Sequence, residues 1–155
     1  MFPIEKMAVY LTWANNSIWK IVETLSTDEF EQSLAEGASS IHRRYIHLAE
    51  DTWEWFHDWH GGNPQEPDFY NMSRDQLFQF ISDYLKKWRK AAENRFIENF
   101  EDERDGKVVV ISIDEMFFHL VNHFTYHRGQ IAMGLKMLGK EVPMTDYVPY
   151  RFTAT

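Results

Sequence analysis

Four long stretches of this chain repeat apolar residues at three- and four-residue steps, the period of helices that each bury one face. Ile4, Met7, Leu11, Ile18, Ile21, Val22 and Leu25 mark the first, with Pro3 suited to its opening turn and Asn15 on the same stripe. The second runs from Ser39 or Ser40 to His60 and is stopped by Gly61, Gly62 and Pro64. Ser73 with Gln76 opens the third, which carries Leu77, Ile81, Tyr84, Leu85, Trp88, Ala92 and Phe96 and is predicted to end near Phe100. The fourth opens at Ser112, with Glu115 in the capping-box position, and continues to about Leu138, where Gly139 supplies the stop. Such faces are buried most simply against one another, so the expected fold is all-α, a four-helix bundle.

The intervening segments refine this outline. "STDEFEQSLAEG" pairs Ser26 with Glu29 and predicts a short connector helix ending near Gly37. "EDERDGK" reads as a turn, "VVVIS" as a short extended piece after it, and "KEVPMTDYVPYRFTAT", with two prolines, as an irregular tail. With 155 residues, no internal repeat and no linker, one domain spanning 1–155 is expected.

Composition narrows the function classes. Sixteen basic against 24 acidic residues leave a net charge of −8, and no long basic tract offers itself to nucleic-acid phosphates. There is no cysteine, hence no disulfide framework, thiolate ligand or cysteine nucleophile, and any thiol chemistry requires an external thiol. No window has the roughly 18 to 20 apolar residues of a membrane span, and the N-terminus lacks a secretory pattern, so a soluble cytoplasmic protein is expected.

The chemistry concentrates in "HLVNHFTYHRGQ", where His119, His123 and His127 recur every four residues. Imidazoles at that spacing sit about 40° and about 6 Å apart on a helix, so two can converge on one ion. His119 and His127 are separated by roughly 12 Å of rise, whereas metal–nitrogen bonds are near 2.0 to 2.1 Å, so one of the three is surplus. Two neutral ligands hold a divalent cation weakly, and a third must come from another helix. Of His42, His47, His57 and His60 in the second helix, His47 is the best placed: it is mid-helix, beside the stripe of Ile41, Tyr45, Leu48 and Thr52, with Asp51 one turn on. His57 and His60, near the glycines, are expected to be exposed. Asp51, Glu50 and Glu54 are candidates for a carboxylate that orients a ligand or binds directly.

These residues resemble the DinB/YfiT-like metalloprotein family. "HLVNHFTYHRGQIAMGLKMLG" is similar to the family's last-helix signature, "SSIHRRYIHLAEDTWEWFHDW" to its second helix, "TWANNSIW" to its first and "VPMTDYVPY" to its tail. The resemblance implies a four-helix bundle, often a homodimer, with His47, His123 and His127 as ligands of nickel, zinc or iron and His119 as the surplus imidazole. Many relatives carry histidine where Tyr126 stands, a departure that leaves the three ligands intact. Characterised relatives include thiol-dependent transferases and isomerases.

Three neutral imidazoles leave a divalent ion its full charge and an open position. That suits hydrolysis through an activated water or thiol transfer to an electrophile. Asp51 and Glu54 are the candidate bases, while Gln130, one turn beyond His127, and Asn15 are candidates to orient water or substrate; Arg128 suits a carboxylate or a substrate. The expected function is S-transferase chemistry on a small electrophile with a low-molecular-weight thiol. The alternatives are a metal-dependent hydrolase and a non-catalytic metal-binding stress-response module. A di-iron centre is excluded because only Glu54 to His57 fits Glu-x-x-His. The run Trp53, Trp55, Phe56 and Trp59 is expected to serve core and dimer contacts.

Overall fold

The computed structural model describes residues 3–35, 39–95 and 97–153. Its elements are α1 (Ile4–Val22), α2 (Thr27–Glu31), α3 (Ile41–His60), a single 3₁₀ turn (Phe69–Asn71), α4 (Arg74–Asn94), strands β1 (Asn99–Arg104) and β2 (Lys107–Ser112), α5 (Ile113–Met137) and α6 (Tyr147–Thr153). The molecule is thus mainly helical, and α1, α3, α4 and α5 pack against one another as the four long helices.

Local chemistry sets where the helices start. Ser40 caps α3 by accepting from the Arg43 amide, and Ser26, Ser73 and Ser112 form reciprocal capping boxes with Glu29, Gln76 and Glu115. Leu11, Ile18, Ile46, Leu77, Trp88, Leu120, Phe124 and Leu135 are all essentially inaccessible, so the core lies where the four apolar faces meet. None of the helices among the described residues is long and apolar enough to cross a membrane.

Three segments differ from the sequence reading. The third long helix stops at Asn94, not near Phe100, because Arg95 takes a left-handed conformation (φ 49°) held by ion pairs to Glu98 at 3.2 Å and Asp114 at 2.9 Å; Phe96 lies outside the described residues. The chain then forms an antiparallel hairpin, with Asn99 opposite Ser112 and Arg104 opposite Lys107, turning through Asp105 and Gly106 with φ of 53° and 73°. Asp-Gly favours that turn, but the acidic sequence "NFEDER" has little strand propensity and gains its strand form by pairing with the valines of β2.

The tail is the third difference: it ends in α6 instead of remaining irregular. Tyr147 packs on Tyr10 at 5.2 Å and Tyr150 on Trp13 at 5.1 Å, contacts that no local sequence signal announces. The connector helix is present but shorter than expected, stopping at Gln32, and Gly37 lies outside the described residues.

Candidate metal centre

Helices α3 and α5 run antiparallel through the site. His47 faces His127, Asp51 faces His123, and Trp55 faces both His119 and His123, so ascending positions on one helix meet descending positions on the other. Thr52 fixes the back of α3: its hydroxyl donates to the Leu48 carbonyl at 2.5 Å, and its own carbonyl accepts from the buried Trp88 indole at 3.2 Å.

Each of His47, His123 and His127 offers a ring nitrogen to a cluster whose atoms all lie within 4.8 Å of one another, an arrangement that could hold a metal ion. His47 Nε2 and His127 Nε2 are 3.1 Å apart. Nitrogens bound tetrahedrally to one ion at about 2.05 Å would be separated by about 3.3 Å, so the pair is already near ligating distance. The Nδ1–H of His127 donates to Gln130 Oε1 at 2.8 Å, which leaves its Nε2 lone pair aimed at the cluster. His123 Nε2 is buried without a hydrogen-bond partner; Asp51 Oδ2 lies 3.2 Å away but off the line of a hydrogen bond. A buried imidazole nitrogen with no aligned partner is costly, and a cation shared by the three rings would remove that cost.

Asp51 touches the cluster from its side, with Oδ1 3.4 Å from His47 Nδ1. The side chain of His47 is 39% exposed, against 15% for His123 and 19% for Asp51, so access is from the His47 side. A cavity inside the bundle, between Asn15, Leu48, Phe124 and Arg128, has about 20 Å³, room for a single water.

Burial, reinforced by the neighbouring His123 and opposed by the Gln130 hydrogen bond, depresses the pKa of His127 from 6.5 to about 4. Its folded-state value is therefore below its unfolded one, so the unfolded chain binds the extra proton first as pH falls. The resulting stability is fully present above pH 6.5 and is lost between 6.5 and about 4. Metal-free protein should lose on the order of 2–3 kcal/mol across that window from this group. The measurement is the urea midpoint in chelator at pH 7 and pH 4.5, with His127→Leu showing the smaller change.

The remaining predicted residues are distributed as follows. Asp51 and Gln130 touch the histidines directly, whereas Asn15 accepts from Arg128 Nη1 at 3.2 Å and contacts the cluster only through that guanidinium. Arg128 is buried and also donates to Thr145 Oγ1 at 3.2 Å, Tyr10 Oη at 3.1 Å and Thr125 Oγ1 at 3.0 Å. Neutral oxygens, not the expected carboxylate or substrate, thus satisfy it. Glu54 is exposed on the whole, and partial desolvation of its carboxylate together with the neighbouring Asp58, Asp51, Glu66 and Glu50 raises its pKa. His57 and His60 are half-buried, not exposed as expected: His57 Nε2 lies 3.0 Å from the Tyr84 hydroxyl, and the His60 ring stacks on Phe56 at 4.0 Å.

Trp55 packs against the core, as expected, and its indole also lies 4.7 Å from His119 and 4.8 Å from His123. Its position one turn beyond Asp51 was the available signal. Removing the Gln130 acceptor should free the His127 ring to rotate, so Gln130→Leu is expected to weaken metal binding about 10- to 100-fold without unfolding the protein, as measured by competition with a chromophoric chelator.

Comparison with known proteins agrees with this architecture. The chain is 22% identical over 160 residues to Protein DinB of Bacillus subtilis (strain 168), covering 95% of this chain and 92% of that protein. Its fold is similar to the crystal structure of a DinB-like protein from Bacillus cereus ATCC 10987, with a TM-score of 0.58 and 18% identity over 86% of this chain and 91% of the other. The DinB family model matches residues 1–155, and the chain belongs to the DinB family.

Proposed function

We propose that this chain is a divalent-metal-dependent enzyme that joins a small electrophile to a low-molecular-weight thiol. His47, His123 and His127 hold the ion, which is nickel, zinc or iron. The observation that carries the reading is the convergence of three imidazoles with one buried nitrogen unsatisfied and one ring open to solvent. When bound, the ion supplies Lewis acidity at a position the protein leaves free. Gln130 fixes the tautomer of His127. Asp51, beside two of the imidazoles, receives the proton that the thiol must lose. Asn15 helps through Arg128, which sets the placement of α5. The chain contributes no thiol of its own, so the sulfur comes from the reducing thiol pool of the cytoplasm.

A second copy is the proposed partner. Phe118, Tyr126, Met133 and Met137 are exposed along α5, and that stripe supports a homodimer. Light scattering of the wild type and Met133→Glu measures it, with a dimer shifting to monomer as the expected outcome.

The function is tested on protein purified without a histidine tag. Elemental analysis should find one ion per chain. Metal-loaded protein should accelerate conjugation of monochlorobimane to glutathione, cysteine or bacillithiol, and His47→Ala should not. Consumption of ester or amide substrates without any thiol would instead favour the hydrolase, since Asp51 is equally placed to take a proton from water. Stoichiometric metal with no turnover in either panel would favour the non-catalytic stress-response module.

A further inference from the structure

The side chains that flank the histidine cluster along α3 differ in chemistry. On one side the indole of Trp55 packs edge-on against His119 and His123, an apolar contact beside the cluster. On the other, Arg44 precedes His47 by three residues and therefore lies on the same side of α3, about 4.5 Å along its axis.

Arg44 differs from the other arginines of the long helices. Arg43 stacks over Tyr70 at 4.7 Å, Arg74 donates to the carbonyls of Val22 and Leu25, Arg89 pairs with Glu93 at 2.7 Å, and Arg128 is enclosed by neutral oxygens. Arg44 is half-buried and, among the described residues, its guanidinium makes no hydrogen bond, ion pair or ring contact. It stands in the first turn of α3, where the helix dipole adds positive potential, on a chain of net charge −8 that has acidic side chains to spare. A half-buried arginine whose side chain has no protein partner, one helical turn before the most exposed imidazole of the cluster, is suited to pairing with an anion from outside.

We propose that Arg44 is the specificity-determining residue of this site, pairing with a carboxylate on the small molecule bound at His47 while Trp55 bounds the apolar side. This rests on the metal-centre reading of the three histidines. It makes the ligand an acidic thiol or an acidic electrophile, with its carboxylate a few bonds from the reacting atom. Arg44 itself neither holds the ion nor moves a proton.

The test loads the protein with Co(II) and titrates it with mercaptopropionate and with the neutral mercaptopropionamide, following the visible spectrum. The wild type is expected to bind the carboxylate probe about 5- to 30-fold more tightly than the amide. Arg44→Gln should abolish that preference, and Arg44→Lys should retain part of it. Both variants should keep the cobalt affinity and the amide affinity of the wild type. An unchanged preference in Arg44→Gln, or no binding of either probe to cobalt-loaded wild type, overturns the proposal. If cobalt itself fails to bind, the metal-centre reading fails separately, and Arg44 is judged in metal-free protein by its Nε–Hε resonance during titration with glutarate and glutaramide. A saturable shift with glutarate alone supports the anion site, and no shift overturns it.

Discussion

His127→Ala is expected to abolish stoichiometric metal binding while leaving the bundle folded. The variant removes one of three convergent donors and leaves two neutral imidazoles, which hold a divalent ion weakly in competition with water. The loss should exceed the roughly 10- to 100-fold attached to outer partners such as Gln130. Elemental analysis after dialysis, with circular dichroism as the check on folding, measures it. His119→Ala is the informative control. Its ring lies 5.7 Å from that of His123 and against Trp55, outside the convergent set, so its removal should leave the ion in place. Retention of metal by His127→Ala, or its loss from His119→Ala, would show that a different set of side chains holds the ion.

Arg128→Ala should cost about 2–4 kcal/mol of stability, the largest effect expected outside the metal cluster. The guanidinium is 4% exposed and joins three parts of the molecule: Tyr10 and Asn15 on α1, Thr125 on α5, and Thr145 ahead of α6. Tyr10 in turn donates its hydroxyl to the Thr145 carbonyl at 2.9 Å, so the aromatic seat of α6 depends on the same group. Alanine leaves a void and several oxygens without their donor, and lysine cannot reproduce the fork that reaches them. The urea midpoint should fall, and limited proteolysis should cut near α6 earlier than in the wild type. A variant with an unchanged midpoint and an equally protected tail would mean that the network contributes nothing net.

Much of the bundle was legible because its signals are local. Serine caps with an acid or amide three residues on, the glycine after His60 and the one after Leu138 each act within a single turn of backbone, and the apolar stripes needed only their period. The turn at Asp105 and Gly106 and the extended β2 were legible too, whereas β1 and α6 were not, for the opposite reason. β1 is acidic and acquires its form from a partner strand, and α6 acquires its place from Tyr10 and Trp13, which lie more than a hundred residues earlier.

The site divides in the same way. Helical spacing alone showed that at most two of His119, His123 and His127 can serve one ion and that another helix must complete the set. It could not show that Trp55 packs against His119 and His123 or that Arg128 is satisfied by neutral oxygens. Nor could it show that Arg44 has no partner. Spacing along one helix is fixed by the rise and twist of the backbone, so the sequence by itself determined which imidazoles are compatible. Which side chains face them, and which charges find a counterpart, depends on how α3 and α5 pack, and only the tertiary structure decided that.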